Sequence, residues 1–341
     1  MTTPPESKSL SLFSDGISAL SYLPKEGTSL LASTSWDGSV RLHDTVARTA
    51  VLSQTMDSGP LLSLAVPSNG DSVATGGLDG SIRLLDISTT TTRLIGKHGE
   101  DGGNKKACSC LGSFGPENNQ LLVSAGWSGK LCLWDIRQTP SSSPVSEINL
   151  PGKAFAMDVD PTHQRVVVAT SGRRTCFVDL RGGKAELVLE RESSLKFQTR
   201  CVKFFPQGNG IALGSVEGRV GVEFLDELSI PSPMKRYAFK CHRVNDTVYP
   251  VNCISFHPQF PSTFATGGCD GAVYIWDGGN KKKLTTIPPF PTSISSIAFN
   301  HDGSEIAIAS SYTHEEGDRA HPQDEIFTRK ILDSECQPKA K

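Results

Sequence analysis

A ten-residue pattern returns along this chain at a nearly fixed interval, and that period limits the possible folds more than any other feature. The copies are SWDGSVRLHD (35–44), GLDGSIRLLD (77–86), GWSGKLCLWD (126–135), SGRRTCFVDL (171–180), SVEGRVGVEFLD (215–226) and GCDGAVYIWD (268–277). Measured between turn glycines, with Arg173 standing in for one, the intervals are 42, 49, 44, 45 and 53 residues. Asp37-Gly38 is a hairpin turn dipeptide, and Val40 and Leu42 alternate with Arg41 and His43 in the period of a half-buried strand. Two further strand signals precede each turn, as in GISALSYLP then SLLAST, or VNCISFHP then TFATGG. Six units are plain. A seventh follows in SISSIAFNHDGSEIAIASSY, its third strand delayed to EIFTRKIL (325–332) by the polar loop THEEGDRAHPQD. One such unit cannot bury both faces of its sheet, so successive units must stack and share their cores.

A period of about 40–45 residues, four short strands per unit, and Trp-Asp closing the third strand at Trp134-Asp135 and Trp276-Asp277 resemble the WD-repeat family over essentially the whole chain. The resemblance implies an all-β fold, a seven-bladed WD40 β-propeller forming one domain over 1–341. The blades are expected near 15–57, 58–103, 104–150, 151–195, 196–246, 247–290 and 291–332, with a flexible tail at 333–341. A ring must be closed. KSLSLF (8–13) has no partner in the first unit and is assigned as the outer strand of blade seven, beside IFTRKI, which leaves no open edge.

Composition removes several function classes. With 34 Lys and Arg against 36 Asp and Glu, the formal charge is −2, so bulk charge does not call for nucleic acid or an anionic membrane as partner. No run of about 18 apolar residues occurs, and MTTPPESKSL has no hydrophobic h-region, so a cytosolic or nuclear chain is expected. The nine cysteines are scattered, several at apolar strand positions, and are expected to be reduced core thiols. Cys108-Ser109-Cys110 lacks both the spacing and the second pair of a zinc site. GxGxxG, P-loop, GxSxG, HExxH and EF-hand motifs are absent, and His242, His257 and His301 read as loop features rather than ligands. No enzyme activity, metal or cofactor is expected.

In WD-repeat propellers the turn between the second and third strands lies on the top rim. Trp36, Leu78, Trp127, Ser171, Val216 and Cys269 precede these turns, so two tryptophans share one register. Each could fold onto neighbouring loops, but aromatic anchors at one register suit a binding platform. The same rim carries Lys130, Arg173, Arg174 and Arg219 after the turns, and Lys106, Lys153 and Arg200 before the first strands of blades three to five. Lys240 and Arg243 follow at the exit of blade five. Such an arc suits an acidic or phosphorylated partner. The competing reading of the arc is a solvated rim with counter-charges, and for Arg200, Arg219, Lys240 and Arg243 it is ordinary ion pairing with Glu190, Glu217 or Glu223.

Longer segments narrow the resemblance. RESSLKFQTRCVKFFP, VEGRVGVEFLD, KRYAFKCHR, YPVNCISFHP, TFATGGCDG and HPQDEIFTRK look like the mitotic (spindle assembly) checkpoint propeller that partners the Bub-type kinases. The messenger-RNA export propeller associated with the nuclear pore shares EGRV, FKCHR and ASSY and is the alternative. The checkpoint resemblance implies a scaffold that clamps a short Glu-containing segment of a checkpoint kinase or pseudokinase across the top face, against Trp36 and Trp127. It also implies recognition of phosphothreonine repeats of a kinetochore scaffold by Arg200, Arg219, Lys240 and Arg243. A place in the mitotic checkpoint complex follows, in the nucleus and at kinetochores in mitosis. Blade three departs from the usual Trp-Asp turn with Trp127-Ser128-Gly129, which puts the presentation of Trp127 in question.

Overall fold

The computed structural model describes residues 6–98, 107–115, 121–138, 143–225 and 233–338. Seven four-stranded antiparallel sheets form the seven blades. Their innermost strands are Ile17–Tyr22, Leu61–Ala65, Cys110–Phe114, Ala154–Asp160, Thr199–Phe204, Val251–Phe256 and Ile294–Phe299. Each innermost strand packs against that of the next blade, and the seventh packs against the first, so the ring is closed.

The second strands explain how blades can pack face to face. SVATGG, GIALGS, TFATGG and EIAIAS are buried at every position, and their small side chains let neighbouring sheets approach. Gly214 shows how close: a Cβ there would lie 2.4 Å from Cys201 Sγ and 2.8 Å from Val251 of blade six. The apolar side chains between blades form seven clusters, one at each junction of successive blades. Each cluster draws its residues from two successive blades, which is the shared burial that the repeat pattern demanded. At the turns, Gly38, Gly80, Gly129, Gly218 and Gly271 take left-handed φ, and in blade four Gly172 and Arg173 take it together.

The orphan strand closes blade seven as expected. Lys8–Leu12 pairs antiparallel with Glu325–Lys330, from Lys8 opposite Thr328 to Leu12 opposite Glu325. Two features depart from expectation. The tail expected to be flexible from 333 instead forms a helical turn, Asp333–Cys336, whose cysteine is fully buried between blades six and seven. Thr263 Oγ1 donates to the Cys336 carbonyl at 2.8 Å, and Arg329 bonds the Glu335 carboxylate at 2.7 Å, which ties the turn down. The expected boundary at 246–247 falls inside a small hairpin, in which Arg243–Val244 pairs with Thr247–Val248 and stands between blades five and six. The expected position of Lys106 lies outside the described residues.

Candidate functional site

One repeated hydrogen bond fixes the rim. The N–H of the residue before each turn donates to a carbonyl just ahead of that blade's innermost strand. The pairs are Trp36 to Gly16, Leu78 to Pro60, Trp127 to Ala107, Ser171 to Lys153, Val216 to Gln198, Cys269 to Pro250 and Ser311 to Ser293, at 2.7–3.1 Å. The two tryptophans therefore hold equivalent places. Trp36 rests an edge on Gly16, where a Cβ would meet its ring at 3.3 Å, and it remains 42% exposed, among the most open of the large apolar side chains. Trp127 is half-buried, with the Lys153 ammonium 5.9 Å from the ring centre.

A second repeated feature builds the mouth of the central cavity. In six innermost strands the ladder register shifts one residue in, at Ser18, Leu62, Phe155, Arg200, Asn252 and Ser295. Such bulges turn one side chain per strand out of the ladder. These six, with Ser109 just before the strand of blade three, line a funnel of about 590 Å³ that also includes Trp36, Trp127 and Tyr312. Six of the seven ring positions are uncharged. Arg200 is the exception, half-buried and with no carboxylate within 4.0 Å among the described residues.

The other three candidate cations do not line the funnel. Arg219 stands opposite Lys240 in the blade-five ladder, and Arg243 donates from Nη2 to the Glu217 carbonyl at 3.0 Å. Arg219 Nε lies 3.5 Å from Glu217 Oε2, and Lys240 is exposed with no carboxylate partner among the described residues. Much of the expected arc is neutralised: Lys130 pairs with Glu147, Arg173 with Glu192 and Arg174 with Glu190. Glu223 pairs with Arg191, a residue outside the candidate set. The ion-pair reading is met at Arg219, whose partner is Glu217; Lys130, Arg173 and Arg174 are paired as well, while Arg200 lines the funnel and has no such partner among the described residues.

Sequence reasoning missed the side chains that hold the rim in place. His242 is buried and bonds Asp270 at 2.8 Å and Thr266 Oγ1 at 2.9 Å, while Trp276 Nε1 donates to the same hydroxyl at 2.9 Å. Blade three repeats this with His98, Ser124 and Trp134, both bonds to Ser124 Oγ being 2.7 Å. Ser128 occupies the aspartate's place and still approaches His98 Nδ1, at 3.5 Å. The departure at Trp127-Ser128 therefore preserves the network beneath Trp127. Burial, with the nearby Lys130 charge adding to it and Glu147 opposing, pulls His98 down to about 4. The signal was available as a histidine ahead of the Trp-Asp strand in both units. The delayed loop of blade seven also supplies Thr313 and His314 to the funnel wall, beside Tyr312 just ahead of it, which its polar composition did not announce.

With this geometry in hand, comparison with known proteins is informative. Residues 7–44, 49–86, 98–135 and 234–277 match the family model described as WD domain, G-beta repeat. The mitotic checkpoint protein bub3 of Dictyostelium discoideum is 41% identical over 326 residues, covering 94% of this chain and 92% of the relative. The mitotic checkpoint protein BUB3.1 of Arabidopsis thaliana is 39% identical over 334 residues, covering 96% and 93%. The chain belongs to the bub3 family of mitotic checkpoint WD-repeat proteins. Fold and family together make it a non-enzymatic adaptor of the spindle checkpoint. The poly(A)+ RNA export protein of Schizosaccharomyces pombe is similar at a lower level, 32% over 336 residues, covering 96% and 91%.

Proposed function

We propose that the funnel clamps a short Glu-containing segment of a Bub-type checkpoint kinase or related pseudokinase, and that the blade-five cluster reads phosphothreonine on a kinetochore scaffold. The observation that carries the first half is the convergence of Trp36, Trp127 and Arg200 on one funnel. Two aromatic anchors supply apolar contact, and a lone guanidinium in an otherwise uncharged ring fixes the position of one carboxylate. Arg200 is therefore assigned to the kinase segment. Arg219 and Lys240, with Arg243 behind them, remain for the phosphate, whose near-double charge suits adjacent cations. Holding both ligands at once would bring the kinase to kinetochores and into the mitotic checkpoint complex.

Calorimetry separates the two sites. Trp36→Ala, Trp127→Ala and Arg200→Ala should each weaken the kinase segment by about 2 kcal/mol, the hot-spot scale, and leave phosphate discrimination intact. Arg219→Ala with Lys240→Ala should abolish discrimination between a phosphorylated peptide and its unphosphorylated twin while the segment still binds. Unchanged affinities in both sets refute the assignment. The export reading has the Schizosaccharomyces pombe relative in its favour. Salt-dependent binding of single-stranded RNA, combined with no binding of the kinase segment, would select it.

A further inference from the structure

Glu217 sits in the midst of the cations assigned to phosphate and is poorly bonded there. Its turn is held firmly: Gly218 follows at φ +60°, and a Cβ on Gly218 would lie 2.8 Å from the Cys241 carbonyl and 2.9 Å from Val248 of the small hairpin. The Glu217 backbone is engaged at both ends, its N–H donating to Ser215 Oγ at 3.3 Å and its carbonyl accepting from Arg243. The carboxylate is not. Oε1 is buried with no hydrogen-bond partner among the described residues, and Arg243 Nε is in the same condition. Oε2 has only the 3.5 Å approach of Arg219 Nε, longer than the contacts at Asp37, Asp135, Glu190, Glu192 and Glu335. A carboxylate oxygen left unpaired away from water carries a desolvation penalty, so a purely stabilising ion pair should be better made than this one.

We infer that Glu217 is an internal competitor for the phosphate site, an inference that rests on the assignment of Arg219 and Lys240 to phosphothreonine. Without a partner, Glu217 holds Arg219 through one long contact. When phosphate arrives, Arg219 exchanges that contact for shorter, paired bonds, and Glu217 remains close enough to repel the incoming anion. Affinity for phosphate is thereby set below what three cations alone would give, which makes release fast. The repulsion acts only on a ligand that brings charge to this spot, so an unphosphorylated peptide is indifferent to Glu217.

The test uses the full chain, a synthetic peptide carrying one phosphothreonine, and its unphosphorylated twin. Glu217→Gln keeps the shape and removes the charge. It should bind the phosphopeptide about fivefold tighter, the upper end for a partly exposed ion pair, with slower dissociation and no change for the twin. Glu217→Ala should show the same gain, and adding Arg219→Ala should erase it. Equal or weaker phosphopeptide binding in both Glu217 variants overturns the inference, weaker binding marking Glu217 as a residue that positions Arg219. If the unaltered chain fails to prefer the phosphopeptide, the phosphate assignment falls and this inference with it.

Discussion

Ring closure combines the pairing of the N-terminal strand with one buried side chain beside it. Phe13, just beyond the closing strand, is 2% exposed and packs among Ile17, Leu31 and Ile326 between blades one and seven. The Arg41 guanidinium lies 4.0 Å from the Phe13 ring centre, and the backbone N–H of Phe13 donates to the Asp324 carbonyl at 2.9 Å. Leu12, its neighbour, is 51% exposed. Truncating a buried Phe to Ala costs about 3–5 kcal/mol through lost transfer energy and the cavity left behind, whereas Leu12→Ala should stay within about 0.5 kcal/mol. For 341 residues melting as one unit, an entropy of about 2.1 cal/mol/K per residue gives roughly 0.7 kcal/mol/K. Phe13→Ala should then lower Tm by about 4–7 °C and Leu12→Ala by about 1 °C or less, read by scanning calorimetry. Equal Tm values for the two variants would refute Phe13 as the anchor of closure.

Removing residues 1–13 should lower Tm far more than removing 337–341, because only the first opens the ring; equal values would remove the closure assignment. Removing 333–341 should cost more than removing 337–341, since Cys336 fills the junction of blades six and seven. Burial holds His43 and His98 at about 4, below the unfolded value of about 6.5, so the unfolded chain takes up their protons first. Their contribution is complete above pH 6.5 and lost as pH falls towards 4. A Tm that stays flat from pH 7 to pH 4.5 contradicts this. Arg191→Ala strands the fully buried Glu223 carboxylate and should cost about 3–5 kcal/mol in denaturant titration, while Arg191→Met with Glu223→Leu should recover most of it.

How much of this was legible in the sequence depended on whether a feature repeats. The blade count, the turn register and the closing strand were readable because each unit restates the same burial pattern, and the left-handed pair Gly172 and Arg173 sits at the stand-in turn the spacing marked. The docked helical turn was not, since DSEC carries no apolar period and is held by Thr263, Thr285 and Arg329, far away or unpatterned in sequence. The basic arc was legible as residues but not as charge. Whether Arg173 or Arg200 is available depends on where Glu192 lies across the ladder and on whether a carboxylate among the described residues reaches the bulge in blade five, and neither follows from position on a rim.

The bulges explain why a repeating fold can carry a site that does not repeat. A ladder position on an innermost strand faces one blade junction or the other, and its size is dictated by the neighbouring sheet, as Gly112 shows, where a Cβ would lie 2.4 Å from Val159 of blade four. A residue on a bulge is released from that constraint and points into the funnel, so Ser18, Leu62, Phe155, Arg200, Asn252 and Ser295 differ widely at equivalent places. The rim residues are free for a related reason: the N–H bond that fixes them is made by backbone, so Trp, Leu, Ser, Val and Cys all satisfy it. Backbone repetition thus sets where ligand-facing side chains stand, while packing leaves their identity open. Two tryptophans and one arginine are enough to break the sevenfold equivalence of the funnel.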